Sequence, residues 1–343
     1  MDKVWLVTGS ASGLGRNIAE AVLESGDRLV ATARDPRRLD DLVNKFGERV
    51  RAVSLDVADE SAAQAAVQVA LDAFGRLDVV VNNAGFGDIA PFEQLSAERF
   101  KAVIDTNFYG VVNVTRAAVP HMRKQRSGCI LQISSVGGRL TRPGNTPYHA
   151  AKWAVGGFTE SLAQELSPFG VKVCALEPGG MRTNWGAGAN QDSPELLPDH
   201  APSVGALAKA LKSYWGKEVS DPVKVAQVVL RLAASDSLPA HLLIGSDIPA
   251  SPTKSTNPLR NHRVWAVSTQ AHSANGLAHD NGPGSENPRA VLKVTDSLDS
   301  AVRSNVEPDD PLDFPRAIPY IEQNDRGLAV HLAECQPPGH GHT

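Results

Sequence analysis

Val4-Trp5-Leu6-Val7-Thr8-Gly9-Ser10-Ala11-Ser12-Gly13-Leu14-Gly15-Arg16-Asn17-Ile18-Ala19-Glu20-Ala21-Val22-Leu23 runs from an apolar segment through a glycine-rich turn into apolar residues at helical spacing. The first four residues are long enough for one buried strand, and Ile18 to Leu23 continue as a helix. Glycines in the turn let the backbone come close to a pyrophosphate. The helix that follows offers free N–H groups and the positive end of its dipole. The spacing is G-x-x-x-G-x-G rather than the commoner G-x-G-x-x-G. A bland glycine-rich turn is the alternative, and the strand before and the helix after it count against that.

Working outward, further apolar runs alternate with helical stretches. Strands are expected at 28–33, 50–55, 77–81, 129–133 and 171–176, and a seventh at 242–244; helices include 62–74 and 153–166. This alternation predicts an α/β fold, a Rossmann-type doubly wound parallel sheet in a single domain. Ligands of such sheets bind beyond the carboxyl ends of the strands.

Tyr148 stands four residues before Lys152 and thirteen after Ser135. On a helix the phenol and the ammonium share one face, one turn apart. A nearby ammonium favours phenolate and lowers the phenol's pKa, which suits proton transfer. Ser135 ends a buried strand that can bring its hydroxyl to the phenol. Taken alone, Tyr-x-x-x-Lys far more often marks a surface Tyr and Lys on an ordinary helix, and it is the surrounding motifs that overturn that reading here. Asn107 is a polar residue inside a helical stretch, where its amide competes with backbone hydrogen bonds, and a special role is favoured.

These pieces together resemble the short-chain dehydrogenase/reductase family in its shorter form, over residues 1 to about 250. The resemblance rests on the turn Thr8 to Gly15, Asp56-Val57, Asn82-Asn83-Ala84-Gly85, Asn107, Ser135, Tyr148, Lys152, and Pro178-Gly179 with Thr183. It implies hydride transfer between a nicotinamide cofactor and an alcohol or carbonyl, with Asn107, Ser135, Tyr148 and Lys152 catalytic. It also implies a cofactor site of Gly9, Ser12, Gly13, Leu14, Gly15, Asp56, Val57, Asn83, Ala84, Gly85, Tyr148, Lys152, Pro178, Gly179 and Thr183. Asp56 and Val57 would flank the adenine, Thr183 would touch the carboxamide, and Asn107 would hold a water that relays protons to Lys152. The Asn83-Ala84-Gly85 segment would lie beside a ribose or serve instead to fix the sheet. Relatives usually pair as homodimers or homotetramers through helices that would here span about 100–124 and 148–166. A catalytically silent, nucleotide-sensing member of the fold is the alternative; the intact quartet favours the enzyme.

Strand two is expected to end at Ala33, where NAD-preferring relatives usually carry an acidic residue. Arg34 follows, with Arg37 and Arg38 close behind. An arginine there can bind a 2′-phosphate through a charge-assisted fork, so NADP is expected over NAD. A solvated basic loop is the competing reading. Asp35 counts against NADP, although it lies two places past the usual acidic position.

A net charge of −4 gives no reason to expect nucleic acid or anionic membrane as a partner. No long apolar run is present, so neither a transmembrane helix nor a signal peptide is expected, and the protein should be cytoplasmic. Cys129, Cys174 and Cys335 lack metal-site spacing, and the first two should be core residues in strands. Residues 184–220 should form a substrate lid, with Trp185, Leu196, Leu197, Tyr214 and Trp215 as apolar candidates. That suggests a small hydrophobic alcohol or ketone, unless those residues pack on the core. Ten of the 23 prolines and six of the 10 histidines fall after residue 250. Residues 251–343 are therefore expected to be a mostly disordered tail, with 263–267 docked on the core. A partner-binding tail, or weak metal binding by its histidines, is the alternative.

Overall fold

The computed structural model describes residues 2–185, 189, 194–245, 264–268, 317–324 and 327–334, the last three segments by backbone alone. Seven parallel strands form the central sheet: β1 Val4–Val7, β2 Arg28–Ala33, β3 Val50–Ser54, β4 Val79–Asn82, β5 Gly128–Ile133, β6 Val171–Pro178 and β7 His241–Ile244. Their spatial order is β3-β2-β1-β4-β5-β6-β7. The order reverses between β1 and β4, which opens a crevice at the carboxyl ends of these two strands.

Side-chain alternation along each strand divides the core into two layers. Trp5 and Val7 of β1 face one cluster with Val79, Val81, Leu131 and Leu176; Val4 and Leu6 face the other with Val80 and Ile130. The first layer is closed by α1 (Gly13–Glu24) through Ile18 and Val22, and by α8 (Pro222–Ala234) through Val225 and Val229. The second is closed by α3 (Glu60–Phe74), α5 (Gly110–Gln125) and α6 (Thr146–Leu166). Their contributions include Val67, Val114, Ala118, Leu162 and Leu166. The remaining helices are α2 (Asp40–Phe46), α4 (Ala97–Ile104) and α7 (Ala206–Tyr214). Cys129 and Cys174 are buried strand residues, and burial pushes both thiols up, Cys129 to about 12. Such thiols are inert packing groups. Cys335 lies outside the described residues.

The stretch expected to run as one helix over about 100–124 is α4 and α5 joined by a π-helical turn, Asp105–Tyr109. The widened turn holds Asn107. Beyond β7 the sheet continues with β8 (Val264–Ser268), parallel to β7, then β9 (Ala317–Asn324) and β10 (Gly327–Glu334), an antiparallel pair. The expected docking stretch overlaps β8. The rest of 251–343 lies outside the described residues. Among the described residues no helix is long and apolar enough to cross a membrane, and no His, Cys, Asp and Glu cluster could hold a metal.

Candidate active site

Tyr148 and Lys152 lie in the first turns of α6, and Ser135 stands two residues past the end of β5. The Ser135 loop is folded tightly onto α6. A Cβ at Gly138 would stand 2.9 Å from the Lys152 carbonyl oxygen, closer than a side chain allows. His149 Nδ1 lies 2.8 Å from the Gly137 carbonyl, while Nε2 accepts the Arg142 N–H at 3.1 Å. Donor and acceptor roles at the ring are thereby fixed as neutral imidazole, and burial lowers its pKa in agreement. Nothing in the sequence pattern singled out His149.

The Ser135 hydroxyl accepts the Gly137 N–H at 3.0 Å and lies near enough to the Tyr148 phenol to favour its ionised form. Lys152 is 4% exposed; its Nζ donates to the Ile133 carbonyl at 2.8 Å and sits 5.5 Å from the Tyr148 ring centroid. Burial raises the Tyr148 pKa, and the Ser135 hydroxyl opposes that. The expected lowering by Lys152 is not what the site shows as it stands. Lys152 is itself desolvated, its pKa pushed down to about 8, so it is a weakened source of positive charge.

Asn107 is fully buried. Its Nδ2 donates to Phe86 O at 2.7 Å and Val103 O at 2.9 Å, while its Oδ1 has no partner. A Cβ at Gly85 would meet Asn107 Oδ1 at 2.6 Å and Lys152 Nζ at 3.7 Å, so only a glycine fits against the two. An orphaned buried acceptor beside a buried ammonium fits a bridging water.

The Lys152 charge has a measurable signature. The unfolded chain keeps this proton up to about 10.5, whereas the folded protein releases it near pH 8. Between these values the unfolded state binds more protons, so stability owed to this group rises with pH. The melting-temperature difference, Lys152→Met minus parent, should therefore shrink from pH 7.5 to about pH 10 by thermal scans. A constant or widening difference would contradict the buried charge.

At the other end of the crevice, Gly9 and Gly13 take φ of +70° and +56°, the left-handed region open to glycine. A Cβ at Gly15 would stand 2.3 Å from the Gly9 oxygen and 2.4 Å from Asn83 Nδ2. Ser12 caps α1 without a side-chain hydrogen bond, so the first amides of α1 face the crevice uncapped. Leu14 is buried beneath them. Asn83 Nδ2 donates to Thr8 O at 2.9 Å, and the Asn83 and Ala84 N–H groups both reach Thr8 Oγ1 at 2.9 Å. This segment thus braces the glycine turn. Thr183, in the loop after Pro178-Gly179, lies opposite Gly13, whose Cβ would be 3.7 Å from it. Gly179 N–H is tied to the Ile244 carbonyl at 2.9 Å.

Asp56 is exposed and accepts the Ala58 N–H at 3.0 Å, and Val57 is buried against Gly110. Asn113 Nδ2 holds the Val57 and Ala58 carbonyls at 3.1 and 3.3 Å, a brace the sequence did not reveal. Arg34 is exposed, and no hydrogen bond or ion pair of its side chain is present among the described residues. Asp35 caps the next turn and is paired by Arg37 at 2.8 and 2.9 Å, which holds its carboxyl below the usual range. The uncapped amides, the tightly packed glycine turn, the unpartnered Asn107 Oδ1 and the exposed Arg34 together fit a dinucleotide.

Residues 3–194 match the family model described as short chain dehydrogenase. The chain belongs to the short-chain dehydrogenase family. Oxidoreductase BOA17 of Botryotinia fuckeliana is 48% identical over 248 residues, covering 72% of this chain and 90% of the relative. The 3-ketodihydrosphingosine reductase of Bacteroides thetaiotaomicron is 33% identical, covering 71% of this chain and 88% of its own. A short-chain dehydrogenase structure from Streptomyces avermitilis superposes with a TM-score of 0.67 at 39% identity, over 72% of this chain and 90% of that one. One from Burkholderia phymatum, in complex with NAD, gives 0.61 at 29% identity, over 68% and 86%.

In this short-chain dehydrogenase one residue of the stretch 184–220 stands against Tyr148. Trp185, 40% exposed, has its ring centroid 5.3 Å from that of Tyr148. Leu196 packs beside Ile89, Ala189 and Val204, while Leu197 is exposed. Tyr214 reaches back to Gly180, and Trp215 is half-buried. The Gln94 side chain latches residues 194–200, donating to Glu195 O at 2.7 Å and accepting Leu197 N–H at 3.1 Å. Behind the site, Glu177 on β6 pairs with Arg139 of the Ser135 loop and with His241 Nδ1 at 2.7 Å. His241 Nε2 faces Glu160 of α6, also at 2.7 Å. This chain of contacts, buried at Glu177 and His241, links the Ser135 loop, β6, β7 and α6.

Proposed function

We propose that this short-chain dehydrogenase is an NADP(H)-dependent oxidoreductase that interconverts a secondary alcohol and a ketone, or an alcohol and an aldehyde. The observation that carries the reading is the meeting of Ser135, Tyr148 and Lys152, with the unpartnered Asn107 Oδ1 behind Lys152. Bound in the crevice, the nicotinamide supplies or accepts the hydride. Ser135 and Tyr148 hold the carbonyl oxygen by two hydrogen bonds. In reduction Tyr148 gives that oxygen its proton; the raised phenol pKa keeps the group protonated for this step. In oxidation Tyr148 takes the hydroxyl proton. Lys152, its pKa pushed down to about 8, then passes protons to a water held by the unpartnered Asn107 Oδ1. Lys152 also holds the ribose hydroxyls, Thr183 the carboxamide, and the Asp56-Val57 and Asn83-Ala84-Gly85 segments the adenosine side. The substrate is a small hydrophobic alcohol or ketone received under Trp185, and the protein pairs through α5 and α6. Steady-state assays of a carbonyl panel with NADPH test the reading; binding without turnover across the panel would favour a silent nucleotide sensor.

Cofactor choice rests on Arg34. Asp35 is engaged by Arg37, leaving Arg34 to meet a 2′-phosphate. Arg34→Ala should weaken NADPH binding by about 1.5–3 kcal/mol and leave NADH nearly unchanged in fluorescence titrations. Equal losses for both cofactors, or a parent that prefers NADH, would refute the assignment.

A further inference from the structure

Ser135 serves the chemistry only while its hydroxyl points at the reacting oxygen, and a serine side chain turns freely among staggered rotamers unless something holds it. One contact within its own loop does so: Ser135 Oγ accepts the Gly137 N–H at 3.0 Å. That bond uses one acceptor site of the hydroxyl and leaves its O–H to donate elsewhere. The aim of Ser135 therefore depends on what holds Gly137.

His149 holds it, from α6. The Gly137 carbonyl lies 2.8 Å from His149 Nδ1, and Nε2 of the same ring accepts the Arg142 N–H at 3.1 Å. An acceptor role at Nε2 puts the proton on Nδ1, so the ring donates to Gly137 O. Burial, together with the Arg142 charge, lowers the pKa of the ring and keeps it neutral. The packing is close on both sides of Gly137. A Cβ there would stand 3.0 Å from His149 Nδ1 and 3.3 Å from Ser135 Oγ, so the bare glycine lets imidazole and hydroxyl close on one residue. His149 is next to Tyr148 in the chain, and its own N–H is bonded to the Asn145 carbonyl at 3.0 Å. The ring is thus anchored on the helix that carries the reacting phenol.

We propose that His149 is a positioning residue: by holding Gly137 from α6 it aims the Ser135 hydroxyl at the oxygen that Tyr148 protonates. It acts through Ser135 and not on the substrate. This rests on the carbonyl-reductase reading above.

The test is a double-mutant cycle read by single-turnover reduction of a ketone that the parent reduces, with NADPH affinity measured by fluorescence. The proteins are the parent, His149→Ala, His149→Asn, Ser135→Ala and the double variant with both alanines. Alanine is a good helix former, so α6 and Tyr148 stay in place. His149→Ala should slow reduction by about 10–100-fold, the cost of a misplaced group, with NADPH affinity within about twofold of the parent. His149→Asn, which offers an amide N–H near the place of Nδ1, should recover most of the rate. In the Ser135→Ala background, His149→Ala should cost less than about threefold more, because no hydroxyl is left to aim. If His149→Ala does not fold, the cycle is run with His149→Phe, which keeps a ring and offers no donor. A general loosening of the site would cost the same in both backgrounds. Equal costs in the two backgrounds, a His149→Ala rate within about twofold of the parent, or no recovery in His149→Asn overturns the role of His149 and leaves the reductase standing. A parent that reduces no carbonyl of a wide panel overturns the reductase reading and this inference with it.

Discussion

Replacing Tyr148 by Phe should lower turnover by about 10²–10⁴-fold, the range for losing a positioned general acid–base group. The ring is retained, so its contacts with Trp185 and the Lys152 Nζ above it should persist. The glycine turn, Arg34 and Thr183 are untouched, and NADPH affinity should stay within about twofold of the parent, a free-energy change well below that of one hydrogen bond. Stopped-flow turnover and fluorescence titration on the same protein separate the two quantities. Turnover within about tenfold of the parent would remove Tyr148 from the chemistry.

A second large effect is expected behind the site. Glu177 is 2% exposed and is shared by Arg139, 13% exposed, and His241, 5% exposed. Removing one member of a buried ion pair strands its partners in a medium that solvates them poorly. Glu177→Leu should destabilise the fold by about 3–5 kcal/mol in urea unfolding at unchanged m-value. Glu177→Gln, which keeps the shape and a hydrogen bond to each neighbour, should cost less. Because Glu177 immediately precedes Pro178-Gly179, and Arg139 belongs to the Ser135 loop, turnover should fall in step with stability. A loss below about 1 kcal/mol, the size of an exposed pair, would show that the network is solvated.

The parallel sheet was legible because each of its strands is a short apolar run followed by a distinctive turn. The glycine turn was legible for a steric reason: at Gly15 no side chain fits between the Gly9 oxygen and Asn83. Tyr148 and Lys152 were legible because helical periodicity alone puts them on one face. The chain Arg139–Glu177–His241–Glu160 was not, since its members come from four elements and have no fixed spacing. Asn113 and His149 escaped for a similar reason, as their partners are backbone carbonyls and amides of remote loops. The π-helical turn at Asp105–Tyr109 has no periodic signature, although the oddity of Asn107 marked its place. The direction of the Tyr148 pKa was misjudged because a pair of charges can be read from spacing, whereas burial cannot. Desolvation here raises the phenol and weakens the very ammonium expected to lower it.

The central claim is that this chain delivers a hydride and a proton to a carbonyl through Tyr148. The most direct measurement uses NADPH carrying deuterium at the transferable position of the nicotinamide, a ketone that the protein turns over, and mass spectrometry of the product. One deuterium on the carbinol carbon with the parent, and a rate at least about a hundredfold lower with Tyr148→Phe, is the predicted result. An alcohol without the label, or no alcohol from any carbonyl offered while NADPH remains bound, would contradict it.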